Sequence, residues 1–223
     1  MKIKQTQPAL ALKPTQFSVG LLEIECRVKE YEKMKAKKRM KLVRDTRVPV
    51  VISPWKELCI SDHHHFVFAC WQAGVKHVKV KVVKDLSRSN LTHQQFWRKM
   101  ARDRHAYLYD QFGTGPRDPL YLPIDVRGMA DDPYRSLTWI VRRLGGFKNS
   151  TQAFAEFKWA DFFRRNRLLH SQGRKGFLRA IRKAIRLAQS TKAGRLPGYA
   201  PQRPKKHANP DKFLRESDYI PDV

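Results

Sequence analysis

The stretch from Val48 to Val83 most constrains the fold, because it reads as strand, turn, strand, helix, strand with little room for another assignment. Val48-Pro49-Val50-Val51-Ile52 reads as a buried strand, with Pro49 pushing it toward a sheet edge. Ser53-Pro54 is a turn, and Glu57 to Ile60 a second strand. Asp62-His63-His64-His65 then opens a helix that runs to about Ala73 and stops at Gly74, a left-handed helix end. From Val75 to Val83 apolar and basic residues alternate, so this is a strand with one cationic face. A strand that ends in an acid and three imidazoles before turning into a helix suits a ligand site. Helix starts attract anions, because their leading N–H groups lack intrahelical acceptors and the dipole adds positive charge. Imidazoles there can bind a phosphate, shuttle a proton or hold a metal.

Charge is the second constraint. With 46 Lys and Arg against 20 Asp and Glu, the chain carries +26 over 223 residues, a field that attracts polyanions. Nucleic acid is the expected partner; an anionic membrane surface or a crowded ribonucleoprotein is the competing explanation. The excess recurs in three places, so the candidate contacts are Lys37, Lys38 and Arg39, then Lys79 and Lys81, then Arg174, Lys175, Arg179, Arg182, Lys183 and Arg186. A hydrophobic content of 41% is enough to bury a core, which excludes a basic chain disordered throughout. Cys26, Cys59 and Cys70 form no C-x-x-C pair, which favours a reducing compartment over a disulfide scaffold. The apolar run Pro8 to Leu12 is too short for a secretion signal, and no run reaches membrane-spanning length, so a cytoplasmic location and no transmembrane segment are expected.

Elsewhere, residues 1–14 read as a flexible basic lead. Phe17 to Ile24 suggests a strand or short element running into a charged helix over Glu25 to Arg44. Thr92-His93-Gln94-Gln95 is a capping box starting a helix to about Arg104. Residues 105–130, rich in Gly and Pro, form a long ordered loop or linker. Asp131-Asp132-Pro133 starts a helix to Leu144, and Ser150-Thr151 caps the next, which carries Phe154, Phe157, Trp159, Phe162 and Phe163. Arg174 to Ser190 is amphipathic, with Phe177, Ile181, Ala184, Ile185 and Ala188 on one face. The expected organisation is an α+β domain over 15–110, a helical subdomain over 111–190, and a Pro/Lys-rich tail over 191–223.

The order strand, turn, strand, Asp-x-His-His, helix, Gly, strand resembles the ParB/sulfiredoxin superfamily, and most closely its branch called putative ParB-like nucleases. Three stretches carry the resemblance. They are Leu58 to His65 with the helix ending at Gly74, Phe96-Trp97 with Met100, and Asp131 to Leu137 followed by Gly145-Gly146-Phe147 and Phe154 to Ala160. The resemblance implies an α+β, ParB/sulfiredoxin-like N-terminal domain with a C-terminal helical subdomain. It also implies that the loop after the second strand cradles nucleotide phosphates, placing Asp62, His64 and His65 at an anion site. This chain carries His63 where the commoner pattern has Gly, the residue that lets a phosphate approach the backbone. Sulfinic acid repair needs a Cys in the site loop, and none lies between Ser61 and Phe66. No helix-turn-helix of the partition proteins is evident.

The resulting candidates are Asp62, His64 and His65 for catalysis, and Asp62, His63, His64, His65 and Arg135 for phosphate or nucleotide binding. A nucleoside triphosphate with Mg²⁺ is the cofactor the resemblance suggests. The bland alternative is a surface cluster in which Asp62 simply caps the helix. Adjacent histidines rarely share one ion, so structural zinc is disfavoured; a divalent ion held by Asp62 and one His stays open. For Arg135 the alternative is an ion pair with Asp131 or Asp132, and for Glu156 a Lys or Arg partner. The functional expectation is a nucleic-acid-associated protein with a phosphate pocket that, as an enzyme, hydrolyses phosphoesters or nucleotides. The alternatives are a non-catalytic DNA- or RNA-binding module with a vestigial pocket and a nucleotide-dependent small-molecule kinase.

Overall fold

A computed structural model describes residues 3–171, 173–201, 210–215 and 219. The chain divides into two compact units, one of residues 1–19 and 27–130, the other of residues 20–26 and 131–223.

The first unit is built on a mixed five-stranded sheet of β1 (Thr6–Pro8), β2 (Leu12–Lys13), β4 (Arg47–Ile52), β5 (Leu58–Ile60) and β6 (His77–Asp85) in the order β1-β6-β4-β5-β2. β1–β6 and β4–β5 pair antiparallel, whereas β4–β6 and β2–β5 pair parallel. A separate ribbon holds β3 (Ser18–Val19) and β7 (Ala130–Asp131), where Ala130 N–H donates to Phe17 O at 3.0 Å. The basic lead thus contains two sheet strands: its apolar run is short, and the pairing that orders it lies tens of residues away.

Pro49 sits in a central strand, against expectation. Ser61 N–H donates to Pro49 O at 2.8 Å, so this residue's backbone groups face β5 just past its last residue, Ile60. The missing proline N–H falls at the last pair of the β4–β5 ladder, where only the one bond from Ser61 N–H is made. In β6 the alternation holds for buried Val78 and Val80, but Val82 and Val83 are exposed. The register slips there, from Val50↔Val82 to Val51↔Lys84, leaving Val83 as an extra residue that shifts the facing pattern.

The charged helix breaks into α1 (Leu21–Lys33) and α2 (Ala36–Asp45). Residues Leu21 to Cys26 group with the second unit and Arg27 onward with the first. α3 (His64–Gln72) ends at Gly74, whose φ of 76° needs no Cβ. α4 (His93–Arg102) starts with the expected reciprocal capping box of Thr92 and Gln95. Its Phe96, Trp97 and Met100 pack with Val51 and Cys59, cross-strand partners on one face of the sheet, and with Ala106, Leu108 and Leu122 from the following ordered loop.

The second unit holds α5 (Pro133–Arg143), α6 (Ala155–Arg165), α7 (Gly173–Ala188) and the short α8 (Pro210–Arg215). Trp159 is fully buried at its centre. It stacks on Phe147 with 4.1 Å between ring centroids, and its Nε1–H donates to Pro197 O at 2.8 Å. α7 buries Phe177, Ile181, Ala184, Ile185 and Ala188, the face read from its spacing. α6 starts at Phe154, left-handed with φ 59°, rather than at Ser150-Thr151; Ser150 Oγ instead accepts from Gln152 N–H in a local turn. Residues up to 201 pack on this unit, burying Ala193 and Ala200. The expected tail otherwise lies mostly outside the described residues. Gly20 begins α1 so near α5 that a Cβ would stand 2.7 Å from Ser136 N. Among the described residues no helix is long and apolar enough to cross a membrane.

Candidate functional site

β5 delivers the chain to the site. After Ile60 the backbone leaves the sheet at Ser61, and Asp62 and His63 are exposed. Asp62 Oδ1 accepts from His63 N–H at 2.6 Å. His63 is left-handed, with φ 71° and ψ 24°, and forms the N-cap of α3 without any side-chain cap bond. It therefore keeps the backbone conformation that glycine would adopt most cheaply, at a cost of about 1 kcal/mol. The helical ladder starts with Val67 N–H donating to His63 O at 3.0 Å. Asp62 thus lies at the surface, as that alternative expects, but its carboxylate bonds to the N–H of the N-cap residue rather than to one inside the helix.

The three imidazoles part company. His63 points out, 6.4 Å from the Phe66 ring, and His65 is half-buried. His64 turns inward and is 4% exposed. Thr15 N–H donates to His64 Nε2 at 3.1 Å, while Thr15 Oγ1 donates to Ile60 O at 2.5 Å. An amide can only donate, so Nε2 supplies a lone pair and the ring is neutral, with its proton on Nδ1. His64 thus ties the helix start to Thr15, whose hydroxyl donates to the end of β5.

A histidine that sequence reasoning missed stands at the same place. After α4 the chain turns through left-handed Arg104 (φ 61°), and His105 N–H donates to Met100 O at 2.8 Å. Tyr107 N–H donates to Thr15 O at 2.9 Å, which lays this segment beside the residue that holds His64. His105 Nδ1 then meets Ser61 Oγ at 2.7 Å. Burial lowers the His105 pKa below the ordinary imidazole value; the Asp103 carboxylate opposes this, and the Lys84 and Lys99 ammonium groups add to it. Asp103 accepts from Lys84 Nζ at 2.6 Å and pairs with Lys99 at 3.1 Å, and these bonds hold its carboxyl well below the usual range. Ser61 and His105 are 44 residues apart, and no local pattern marks either.

Arg135 belongs to the second unit and Asp62 to His65 to the first. Its guanidinium is 5% exposed, donates to Glu156 Oε2 at 3.3 Å and lies 3.8 Å from the Phe157 ring centroid. Among the described residues its Nε and Nη1 have no hydrogen-bond partner, and the ring face supplies the compensating interaction. Glu156 also pairs with Arg142 at 2.6 Å, so it is a partner for arginines. The alternative of an ion pair between Arg135 and Asp131 or Asp132 is not what forms: Arg135 pairs with Glu156, and Arg164 Nη2 reaches Asp132 Oδ2 at 2.6 Å.

The basic candidates lie on two surfaces. In the first unit, Lys37, Lys38 and Lys79 line one side of a groove of about 760 Å³ with Lys35, Lys41 and Arg44 over an apolar floor of Val43 and Val78. Arg39 is half-buried on α2, and Lys81 is exposed on β6. In the second unit, Arg174, Lys175, Arg179, Arg182, Lys183 and Arg186 are all exposed along α7; Arg182 reaches Asp211 at 3.5 Å. Cys59 and Cys70 are buried thiols pushed up to about 12 by desolvation, unreactive near neutral pH. Among the described residues no group of three or more His, Cys, Asp or Glu is placed to hold a metal ion.

Comparison with known proteins places this geometry in a family. Residues 6–165 match the family model described as putative ParB-like nuclease. The match covers the five-stranded sheet, the α3 turn, His105 and the helices through α6. The fold is also that of a solved structure, protein Atu1540 from Agrobacterium tumefaciens. The two are 34% identical with a TM-score of 0.75, over 89% of this chain and 98% of that one. No curated protein matches. The α+β architecture, the uncapped turn after β5 and the matched span agree: the chain belongs to the putative ParB-like nuclease family.

Proposed function

We propose that the chain is a nucleic-acid-associated protein that binds phosphate at the Asp62–His65 turn and hydrolyses phosphoesters there. The observation that carries the reading is the turn into α3: Asp62 and His63 are exposed, and left-handed His63 is the N-cap without a side-chain cap bond. An anion at a helix start gains from the helix dipole. His63 and His65 are the imidazoles nearest that position in sequence, with His64 fixing the turn from beneath. The exposed basic faces on α2, β6 and α7 supply the long-range field that draws a polyanion in.

Two measurements test this together. Affinity for short duplex and single-stranded DNA and RNA is measured across salt, since displaced counterions must appear in the slope. Thermal shift is then recorded with CTP, ATP and ADP, with and without Mg²⁺; a ligand of the native state at a hundred times its Kd stabilises by about 2.7 kcal/mol. Salt-dependent binding with a nucleotide-dependent shift supports the reading. A flat salt response with no shift for any nucleotide rejects it.

One observation favours a second reading, a binding module without chemistry: Lys35, Lys37, Lys38, Lys41 and Lys79 make no ion pair among the described residues, while His64 is locked. That reading predicts salt-dependent binding unaffected by nucleotide and no hydrolysis.

A further inference from the structure

We propose that Ser61 and His105 form a nucleophile and general-base pair at the mouth of the α3 turn, so that phosphoester cleavage passes through a phosphoserine at Ser61. This inference rests on the phosphate-site reading above and names the reacting atoms within it. Ser61 is the last residue before the exposed turn, anchored by its N–H on Pro49 O at 2.8 Å, and its hydroxyl is partly exposed. Its Oγ lies 2.7 Å from His105 Nδ1, the separation of a hydroxyl hydrogen-bonded to an imidazole lone pair. His105 is itself fixed by its own N–H on Met100 O and by Tyr107 N–H on Thr15 O, so the pair is held by one backbone anchor on the Ser61 side and two on the His105 side. The charged groups around His105 are Asp103, Lys84 and Lys99. Ser61 stands three residues before α3, at the head of the turn that the proposed function assigns to phosphate.

In the first step Ser61 Oγ attacks phosphorus and its proton passes to His105 Nδ1. The Oγ–P bond forms as the ester P–O bond breaks, and the imidazolium returns the proton to the leaving alkoxide. In the second, water attacks the phosphoserine while His105 takes a water proton and returns it to Ser61 Oγ. The net reaction is hydrolysis, with no oxidant, reductant or further reactant.

A fluorophosphonate probe tests the pair without knowledge of the natural substrate, since its P–F bond breaks as Oγ–P forms and fluoride leaves. Intact-mass and peptide mapping of the full chain should place a single adduct on Ser61. His105→Gln should slow its formation about 100-fold or more, the usual range for loss of a general base, and Ser61→Ala should abolish it. On the wild-type protein, which needs no variant to fold, the rate should rise with pH and level off with a midpoint below the ordinary imidazole value. No adduct at Ser61, an equal rate in folded His105→Gln, or a rate flat between about pH 5 and 8 overturns the inference. A protein that hydrolyses phosphodiesters without a Ser61 adduct loses this inference and keeps the proposed function. An adduct in a protein that binds neither nucleic acid nor nucleotide does the reverse.

Discussion

The starts of α3 and α5 both carry an aspartate just before the helix, yet the chain treats them oppositely. At α5, Asp132 is 3% exposed, accepts from Tyr134 N–H at 2.9 Å and holds Arg164 at 2.6 Å. Every demand of that helix end is met from inside the protein, with Pro133 at the first helical position removing one donor. At α3, Asp62 is exposed and among the described residues bonds only to its neighbour's N–H within the turn, while left-handed His63 serves as an N-cap without a side-chain cap bond. One end is closed for stability. The other is where the proposed function places an anion.

The sharpest way to break this comparison is to truncate both acids. Asp132→Ala should cost about 3 kcal/mol, because it removes a cap worth about 1 kcal/mol and strands one partner of a buried pair. Asp62→Ala should stay within about 0.5 kcal/mol, the usual range for an exposed site. Urea unfolding of both variants checks this; equal losses would mean that Asp62 is structural after all.

Next in size is His64→Ala, which should cost about 2 kcal/mol by leaving Thr15 N–H without its buried acceptor. It should weaken phosphate binding only as far as the turn loosens. His64→Gln, which keeps a side-chain acceptor, should recover part of the stability in the same unfolding experiment. A His64→Ala protein as stable as wild type would remove the positioning role.

His63→Gly should give a smaller and opposite effect, a gain of about 0.5 kcal/mol as relief of the left-handed strain outweighs glycine's extra chain entropy. Phosphate should bind less tightly, since an imidazole of the turn is gone while its backbone conformation is kept. Calorimetric melting with a parallel phosphate titration reads both.

The smallest expected effect is on pH dependence. Asp103 is held below the ordinary carboxylate value by Lys84 and Lys99, so the unfolded state takes up its proton first as pH falls. Its contribution is present above the unfolded pKa of about 4 and is lost as pH falls through the lower folded value. Asp103→Asn should flatten the acid limb of stability slightly, in unfolding curves taken down to the acid transition. Salt should shrink this effect, because the pair is partly solvated.

What could be read from sequence was local. The Thr92 capping box, the Asp132-Pro133 start and the Gly74 stop each place their own chemistry within four residues, and each stands where its pattern put it. The family and the α+β class were legible for the same reason, from motifs in order. What escaped depends on distance along the chain. The strands in residues 6–13 are ordered by partners near residues 58 and 79. Pro49 looked like an edge residue because its orientation toward the end of β5 is a tertiary fact. Residues 20–26 group with helices more than a hundred residues away. At the site, His63 to His65 read as one cluster, but a helix start turns successive side chains about 100° apart and sends His64 into the protein. His105 was invisible because only the fold carries it to Ser61.

The central claim is that phosphate binds at the uncapped start of α3. The most direct measurement follows backbone amide resonances of the ¹⁵N-labelled protein while ADP and a short oligonucleotide are titrated in. The account predicts saturable shifts centred on the amides of His63 to Phe66, with weaker, salt-sensitive shifts along α2 and α7. Shifts confined to the basic faces of α2, β6 and α7, with the His63 to Phe66 amides unmoved at saturation, would contradict it.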